Sequence, residues 1–318
     1  MAHEINVWLF NQPVGALSLV GGRLSFQYRS DWLAQPHAVS LSQSLPLVPE
    51  PFDDHQCRAF FAGLLPEGNL RRLIAQQCQV SSQNDFALLS AIGGECAGAI
   101  TFVPVGHVMA SDEQDRVEWL DQTQMIALLD ELPRRPMLAG RDGIRLSLAG
   151  AQDKLPVVFD GQRIGLPKGG QPSTHILKPA ISATASVQDS VFNEGFCLAL
   201  AQAMGLPTAQ AQIFDVQDRQ VLLVARYDRR AGGDGQPVRI HQEEFCQALG
   251  VVLYHELALL ANFALLAWLQ QGRPNHVALC TFALLWCMRF TAKMNLFLGV
   301  PEVGEQYLPA HLAHLGSY

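Results

Sequence analysis

The chain has 318 residues, 49% hydrophobic and only 16% charged, with a formal net charge of −7. That apolar content and just seven cysteines exclude collagen-like, disordered and disulfide-scaffold classes, and the acidic balance argues against a dedicated nucleic-acid binder, which normally carries a basic face. The only charged residues in 251–318 are Glu256, Arg273, Arg289, Lys293, Glu302 and Glu305, and the last aspartate is Asp234, so composition alone excludes any reaction needing an Asp in the C-terminal quarter.

Residues 5–30 alternate with period two: Ile5 to Phe10, a turn at Asn11-Gln12-Pro13, Val14 to Val20, Gly21-Gly22, then Leu24 to Tyr28. This pattern predicts antiparallel strands. One helix is expected over 60–77 and another over 83–90. The glycine-rich segment 92–98 predicts a turn leading into a strand at 99–105. A helix over 121–132 and a linker at Pro133-Arg134-Arg135-Pro136 close this part, placing a boundary near 110–140. The N-terminus lacks a basic region and a long apolar run, so no signal peptide is expected. The seven cysteines contain no C-x-x-C and read as reduced thiols of a cytoplasmic protein.

The second part opens with strand, small-residue turn and strand over 145–159, followed by a glycine-rich spacer at 161–170. A short strand at 174–179 carries Lys178. A helix over 190–204 carries Asn193 and Glu194 near its start. Strands at 212–216 and 220–224 pair around Gln217–Arg219, and 242–249 reads as a short helix. Beyond Gly250 the chain reads as helical and apolar. Its uncharged runs at 257–269 and 277–288 fall short of the about 18 residues a spanning helix needs, which favours buried helices.

A lysine on a strand, a glutamate on the next helix and an upstream small-residue hairpin are the parts of a nucleotide-phosphate cradle. In such a cradle the lysine contacts phosphate and the glutamate holds it by an ion pair. Lys178 and Glu194 are 16 residues apart, a separation that fits strand to helix. Small residues between Ser147 and Lys154 let backbone N–H groups approach phosphate oxygens. The same residues also fit an ordinary hairpin, and Lys178 also fits a sheet edge.

Several blocks raise the first reading. They are Ser44-Leu45-Pro46-Leu47, Phe60-Phe61-Ala62-Gly63-Leu64-Leu65-Pro66-Glu67-Gly68, Ile92-Gly93-Gly94-Glu95-Cys96-Ala97-Gly98-Ala99, and Leu148-Ala149-Gly150-Ala151-Gln152-Asp153-Lys154. Downstream come His175-Ile176-Leu177-Lys178, Asn193-Glu194, Arg226-Tyr227-Asp228-Arg229 and His241-Gln242-Glu243-Glu244-Phe245-Cys246-Gln247. In this order they resemble the HipA family, serine/threonine-kinase-like toxins of bacterial toxin–antitoxin modules, over about residues 5–250.

The resemblance implies an α+β architecture. An N-terminal mixed β/α domain (1–110) and a helix and linker (111–140) precede a kinase-like lobe of antiparallel sheet plus helix (141–250) and a truncated all-helical lobe (251–318). It implies ATP, with Mg2+, contacted by Ala149, Gly150, Ala151, Gln152, Asp153, Lys154 and Lys178. Glu194 is the implied ion-pair partner. Ala225, Arg226 and Tyr227 form the implied hinge at the adenine, with Ala225 where relatives carry an acid. Ser147 matches an autophosphorylated serine, whose added charge would expel a phosphate-binding loop. A HipB-like helix-turn-helix antitoxin, reaching DNA only through that partner, and a substrate such as an aminoacyl-tRNA synthetase are implied partners.

The family continues with a catalytic loop N-x-D-x-H-x-K-N and a later metal-binding Asp, none of which is matched after Asp234. Thr291-Ala292-Lys293-Met294-Asn295 is the nearest echo and has no acid, and Glu302 and Glu305 follow a Gly-Val-Pro break. Two origins of the tail are expected: decay of the kinase lobe, or a shifted reading frame near Gly250. Two functions follow: a HipA-like kinase with impaired phosphoryl transfer, or a catalytically dead module that sequesters the antitoxin and modulates operon repression.

Overall fold

A computed structural model of the chain describes residues 3–106, 117–150, 152–181, 189–233 and 235–251. The apolar runs at 257–269 and 277–288, the segment 291–295, Glu302 and Glu305 lie outside them. The first elements are β1 (His3–Leu9), β2 (Gln12–Val20), β3 (Arg23–Tyr28), α1 (Ser30–Leu33), α2 (Asp54–Phe61), α3 (Gly68–Gln77), α4 (Asp85–Ile92) and β4 (Ile100–Pro104). The four strands form one antiparallel sheet ordered β3-β2-β1-β4.

Two local expectations are corrected here. The first turn lies at Phe10-Asn11, both at positive φ (52° and 61°), as a tight two-residue hairpin requires. Pro13 instead sits in β2 opposite Trp8, where the register shifts. The single helix expected over 60–77 is broken: α2 ends at Phe61, a 3-10 turn covers Ala62–Leu64, and Leu65 is extended. Pro66 disfavours a helical residue before it. Helix α2 starts on a capping box between Asp53 and Gln56, and Asn84 caps α4 through the Ala87 N–H, each cap worth about 1 kcal/mol.

The second set comprises β5 (Val117–Trp119), α5 (Gln122–Glu131), β6 (Leu155–Phe159), β7 (Ile164–Pro167), β8 (His175–Pro179), α6 (Ser190–Ala203), β9 (Ala211–Val216), β10 (Arg219–Ala225), β11 (Arg229–Ala231), β12 (Pro237–Arg239) and α7 (Phe245–Ala248). Six of these strands form a second sheet, β5-β7-β6-β8-β10-β9, antiparallel throughout. The glycine-rich spacer at 161–170 conceals β7, whose four residues are all buried. Residues 145–148 are not a strand of this sheet, because the backbone partner of Leu146 is Glu95 of the first domain.

Among the described residues two large apolar cores result, with a small third cluster of Val191, Leu222 and Val224 where α6 meets β10. One is built on Phe26, Phe60, Phe61 and Phe102, all fully buried and in mutual ring contact through Phe61. Truncating any of these to Ala costs about 3–5 kcal/mol. The other gathers Leu128, Leu146, Leu155, Leu166, Leu177 and Leu223. Leu132, Met137 and Leu138 are buried in it too, so the proline-rich stretch read as a linker is a packed corner. The described residues form an α+β structure, and no helix among them is long and apolar enough to cross a membrane.

Candidate functional site

The small-residue loop rests on the first domain. Ser147 is fully buried: its N–H donates to the Glu95 carbonyl at 2.9 Å and its Oγ donates to the Leu64 carbonyl at 2.8 Å. Three residues on, the Glu67 N–H donates to the Gly150 carbonyl at 3.2 Å, and Pro66 and Gly150 form a parallel bridge. Gly150 lies at φ +109°, and a Cβ there would stand 2.7 Å from Lys154 Nζ. Only glycine fits this bend. The Lys154 ammonium folds back to donate to the Ala149 carbonyl. Gln152, Asp153 and Lys154 are half-buried, and burial pushes the Asp153 carboxyl up, its Oδ1 making no hydrogen bond among the described residues. Ala151 lies outside the described residues.

Lys178 projects from β8 and pairs with Glu194 of α6, both side chains about one-fifth exposed (21% and 17%). Leu177 is fully buried between two half-buried neighbours, the alternation a covered strand imposes. Leu155 pairs with Leu177, which places Lys154 at the register position beside Lys178. The loop and the strand lysine are therefore adjacent, as a phosphate site requires. The donors suit phosphate: two ammonium groups, one of them, that of Lys154, lying over the Gly150 bend. For a metal the fit is different. Among the described residues no group of three or more His, Cys, Asp or Glu side chains could hold one.

At the other end of the sheet, Ala225 closes β10 opposite His175. Its N–H donates to the Gln210 carbonyl at 2.8 Å, and that of Arg226 donates to the Thr174 carbonyl at 2.9 Å. The Arg226 side chain is entirely buried in a charge cluster. It forks onto Asp228 (2.8 and 2.6 Å) and reaches Ser173 Oγ (2.9 Å), the Cys96 carbonyl (2.9 Å) and Glu95 (3.4 Å). Tyr227 donates its phenol to Gln242 Oε1, and burial raises its pKa further.

Glu95 is the cluster's centre and was not singled out from the sequence as a site residue. Its Oε1 accepts from Arg229 Nη2 (2.7 Å) and from the N–H (3.0 Å) and Oγ (2.9 Å) of Ser173, while its Oε2 pairs with Arg239. Burial alone would push this carboxyl up, but the guanidiniums of Arg239, Arg229 and Arg226 overrule it and hold it well below the usual carboxylate range. Asp228 is likewise lowered against the burial effect, chiefly by Arg226, and accepts from the Gly98 N–H at 2.7 Å. The available signal was compositional: an acid flanked by Gly94 and Cys96 within an apolar block, with arginines recurring at 226, 229 and 239. A charge in such a block is buried, and a buried charge must be paired.

Comparison with known proteins places these features in context. Residues 5–103 match the family model described as the HipA N-terminal domain, and residues 236–318 match one described as a protein of unknown function, DUF3623. Putative kinase Y4mE of Sinorhizobium fredii is 44% identical over 251 residues, covering 78% of this chain and 59% of that protein. The serine/threonine-protein kinase toxin HipA of Shewanella oneidensis is 32% identical over 239 residues, covering 73% and 53%. The solved complex of Shewanella oneidensis HipA with HipB and operator DNA superposes with a TM-score of 0.64 at 29% identity, over 78% of this chain and 57% of that one. The chain thus spans a little over half the length of the relatives it matches. Its tail has a family match of its own, beginning at residue 236.

Proposed function

We propose, from the premise that this chain belongs to the HipA family through about residue 250, that it retains the nucleotide-binding half of a serine/threonine-kinase toxin. The observation that carries this is the Lys178–Glu194 pair beside the loop that Gly150 bends. ATP, brought with Mg2+, supplies the transferable phosphoryl group when bound. Lys178, steadied by Glu194, neutralises its phosphates, and Lys154 with the backbone of Ala149, Gly150, Gln152 and Asp153 walls the same end. The backbone of Ala225 to Tyr227 borders the adenine. Phosphoryl transfer is weak, since the family's catalytic-loop and metal-binding aspartates have no counterpart after Asp234. Calorimetric titration of the purified chain with Mg2+-ATP tests this: saturable binding, weakened at least tenfold by Lys178→Ala, is the expected result. No binding by the wild type overturns it. Robust phosphorylation of an aminoacyl-tRNA synthetase or another protein overturns the impaired-transfer half.

A second reading rests on a different observation. The segment matching the HipA N-terminal domain coincides with a complete four-stranded sheet and its own core. The structural neighbour was solved with HipB and operator DNA. On this reading the chain captures a HipB-like antitoxin in the cytoplasm and alters operon repression without transferring phosphate. Co-expression with such an antitoxin is expected to give a stable complex, and failure to co-purify at micromolar concentration removes this reading.

A further inference from the structure

Three segments wall the nucleotide cleft proposed above: the loop that begins at Ser147, the start of β8 and the end of β10. All three are tied to one residue of the first domain. The Glu95 backbone holds the loop, donating its N–H to the Arg145 carbonyl at 2.8 Å and accepting the Ser147 N–H at 2.9 Å. The Glu95 carboxylate holds the other two. It accepts both the N–H and the Oγ of Ser173, two residues before β8, and it meets Arg226 and Arg229, which follow the last residue of β10. Arg226 in turn touches Ser173 Oγ, and its N–H donates to the Thr174 carbonyl, so the strand ends are bound to each other as well as to Glu95. The carboxylate is almost fully removed from solvent, its side chain 4% exposed, so water does not compete for these bonds.

We propose that Glu95 is a positioning residue for nucleotide binding: its carboxylate clamps the ends of β8 and β10 and so sets the adenine-side wall relative to Lys178, without touching the ligand. This rests on the nucleotide-binding reading. The clamp divides the cleft by mechanism. The phosphate end depends on the Glu95 backbone, which a side-chain substitution leaves in place. The adenine end depends on the carboxylate. Loss of the carboxylate therefore penalises a ligand that has an adenosine and spares one that has only phosphates.

Glu95→Gln alone leaves three buried guanidiniums facing Asp228 and risks unfolding. The informative comparison is Arg239→Gln against Glu95→Gln/Arg239→Gln, in the full chain. The double variant restores the wild-type buried net charge of +1, from three arginines against Glu95 and Asp228. The two variants differ only at Glu95. Amide hydrogen exchange and titrations with ATP and with inorganic tripolyphosphate are read on both. In the double variant, exchange at 173–178 and 225–229 is expected to quicken at least tenfold while β1–β4 stay unchanged. ATP weakens at least tenfold, and tripolyphosphate changes by less than twofold. Unchanged exchange at those segments overturns the clamp whether or not ATP binds. Equal losses for ATP and tripolyphosphate overturn the positioning role. Faster exchange in a chain whose wild type takes up no ATP overturns the nucleotide reading, and with it any role for Glu95 beyond structure.

Discussion

Lys178 on β8 and Glu194 on α6 form an ion pair that joins the second sheet to the helix packed on it, and the pair is only about one-fifth exposed. Replacing Lys178 by Ala is expected to weaken ATP at least tenfold. Glu194→Gln, which keeps the shape and frees the lysine, is expected to weaken it only about threefold. A partly solvated pair contributes little to stability, so neither variant should lose more than about 1 kcal/mol in urea unfolding. Equal and large stability losses would show the pair to be architectural.

Ser147 cannot accept a phosphate where it lies, since its hydroxyl is buried against the Leu64 carbonyl. Ser147→Ala is expected to cost about 1–3 kcal/mol by leaving that acceptor unpaired. Ser147→Asp forces a charge into the same site and is expected to release the loop, seen as new protease cleavage between 145 and 154. An intact, protease-resistant loop in Ser147→Asp would contradict this.

Arg145 caps the end of α4: its guanidinium donates to the carbonyls of Ser90 (2.8 Å), Ala91 (3.2 Å) and Phe102 (2.9 Å). Helix ends leave such carbonyls without intrahelical partners. Gly94 permits the approach, because a Cβ there would lie 2.7 Å from that of Arg145. Arg145→Met keeps the volume and is expected to cost about 3 kcal/mol through the unpaired carbonyls. A loss below about 1 kcal/mol in denaturant unfolding would mean that water replaces the guanidinium.

His241 sets an acid limit. It is buried, its Nε2–H donates to the Leu41 carbonyl at 2.8 Å, and burial pushes its pKa down to about 4. Between the ordinary value of 6.5 and about 4, the unfolded chain binds a proton that the folded chain does not. Stability is therefore expected to fall by about 3 kcal/mol as pH drops through that window. Glu95 and Asp228 act lower, their contribution complete above the usual carboxylate range and lost as pH falls beneath it. Urea unfolding at pH 7, 5.5 and 4.5 tests the window, with His241→Gln expected to flatten it. Identical slopes in both proteins would assign the acid loss elsewhere.

The strands of the first sheet were legible because alternation and paired glycines are local signals, and so was the Lys178-to-Glu194 spacing. What escaped was set by distant partners. β7 hides in a glycine-rich stretch because both its faces are covered, which removes alternation. Arg226 reads as a hinge residue from its neighbours, and nothing local says that its guanidinium also reaches Glu95, 131 positions earlier. The break at Pro66 was visible in principle, since proline restricts the residue before it. Residues 64–67 stand out as a motif block, yet nothing local says that they support Ser147 and Gly150.

The bonds from Leu64 to Ser147 and from Glu67 to Gly150, with the Glu95 cluster, bear on how this chain can be dissected. Cutting it between 106 and 117 falls at a boundary in sequence but not in energy. The downstream piece would carry Arg226, Arg229 and Arg239 with only Asp228 to oppose them, and the upstream piece would expose the Leu64 and Cys96 carbonyls and an unmatched Glu95. Each half is the other's missing counter-charge. Fragments made at that point are expected to be soluble only when co-expressed, and a binding surface mapped on the first domain alone would be mapped on an altered one.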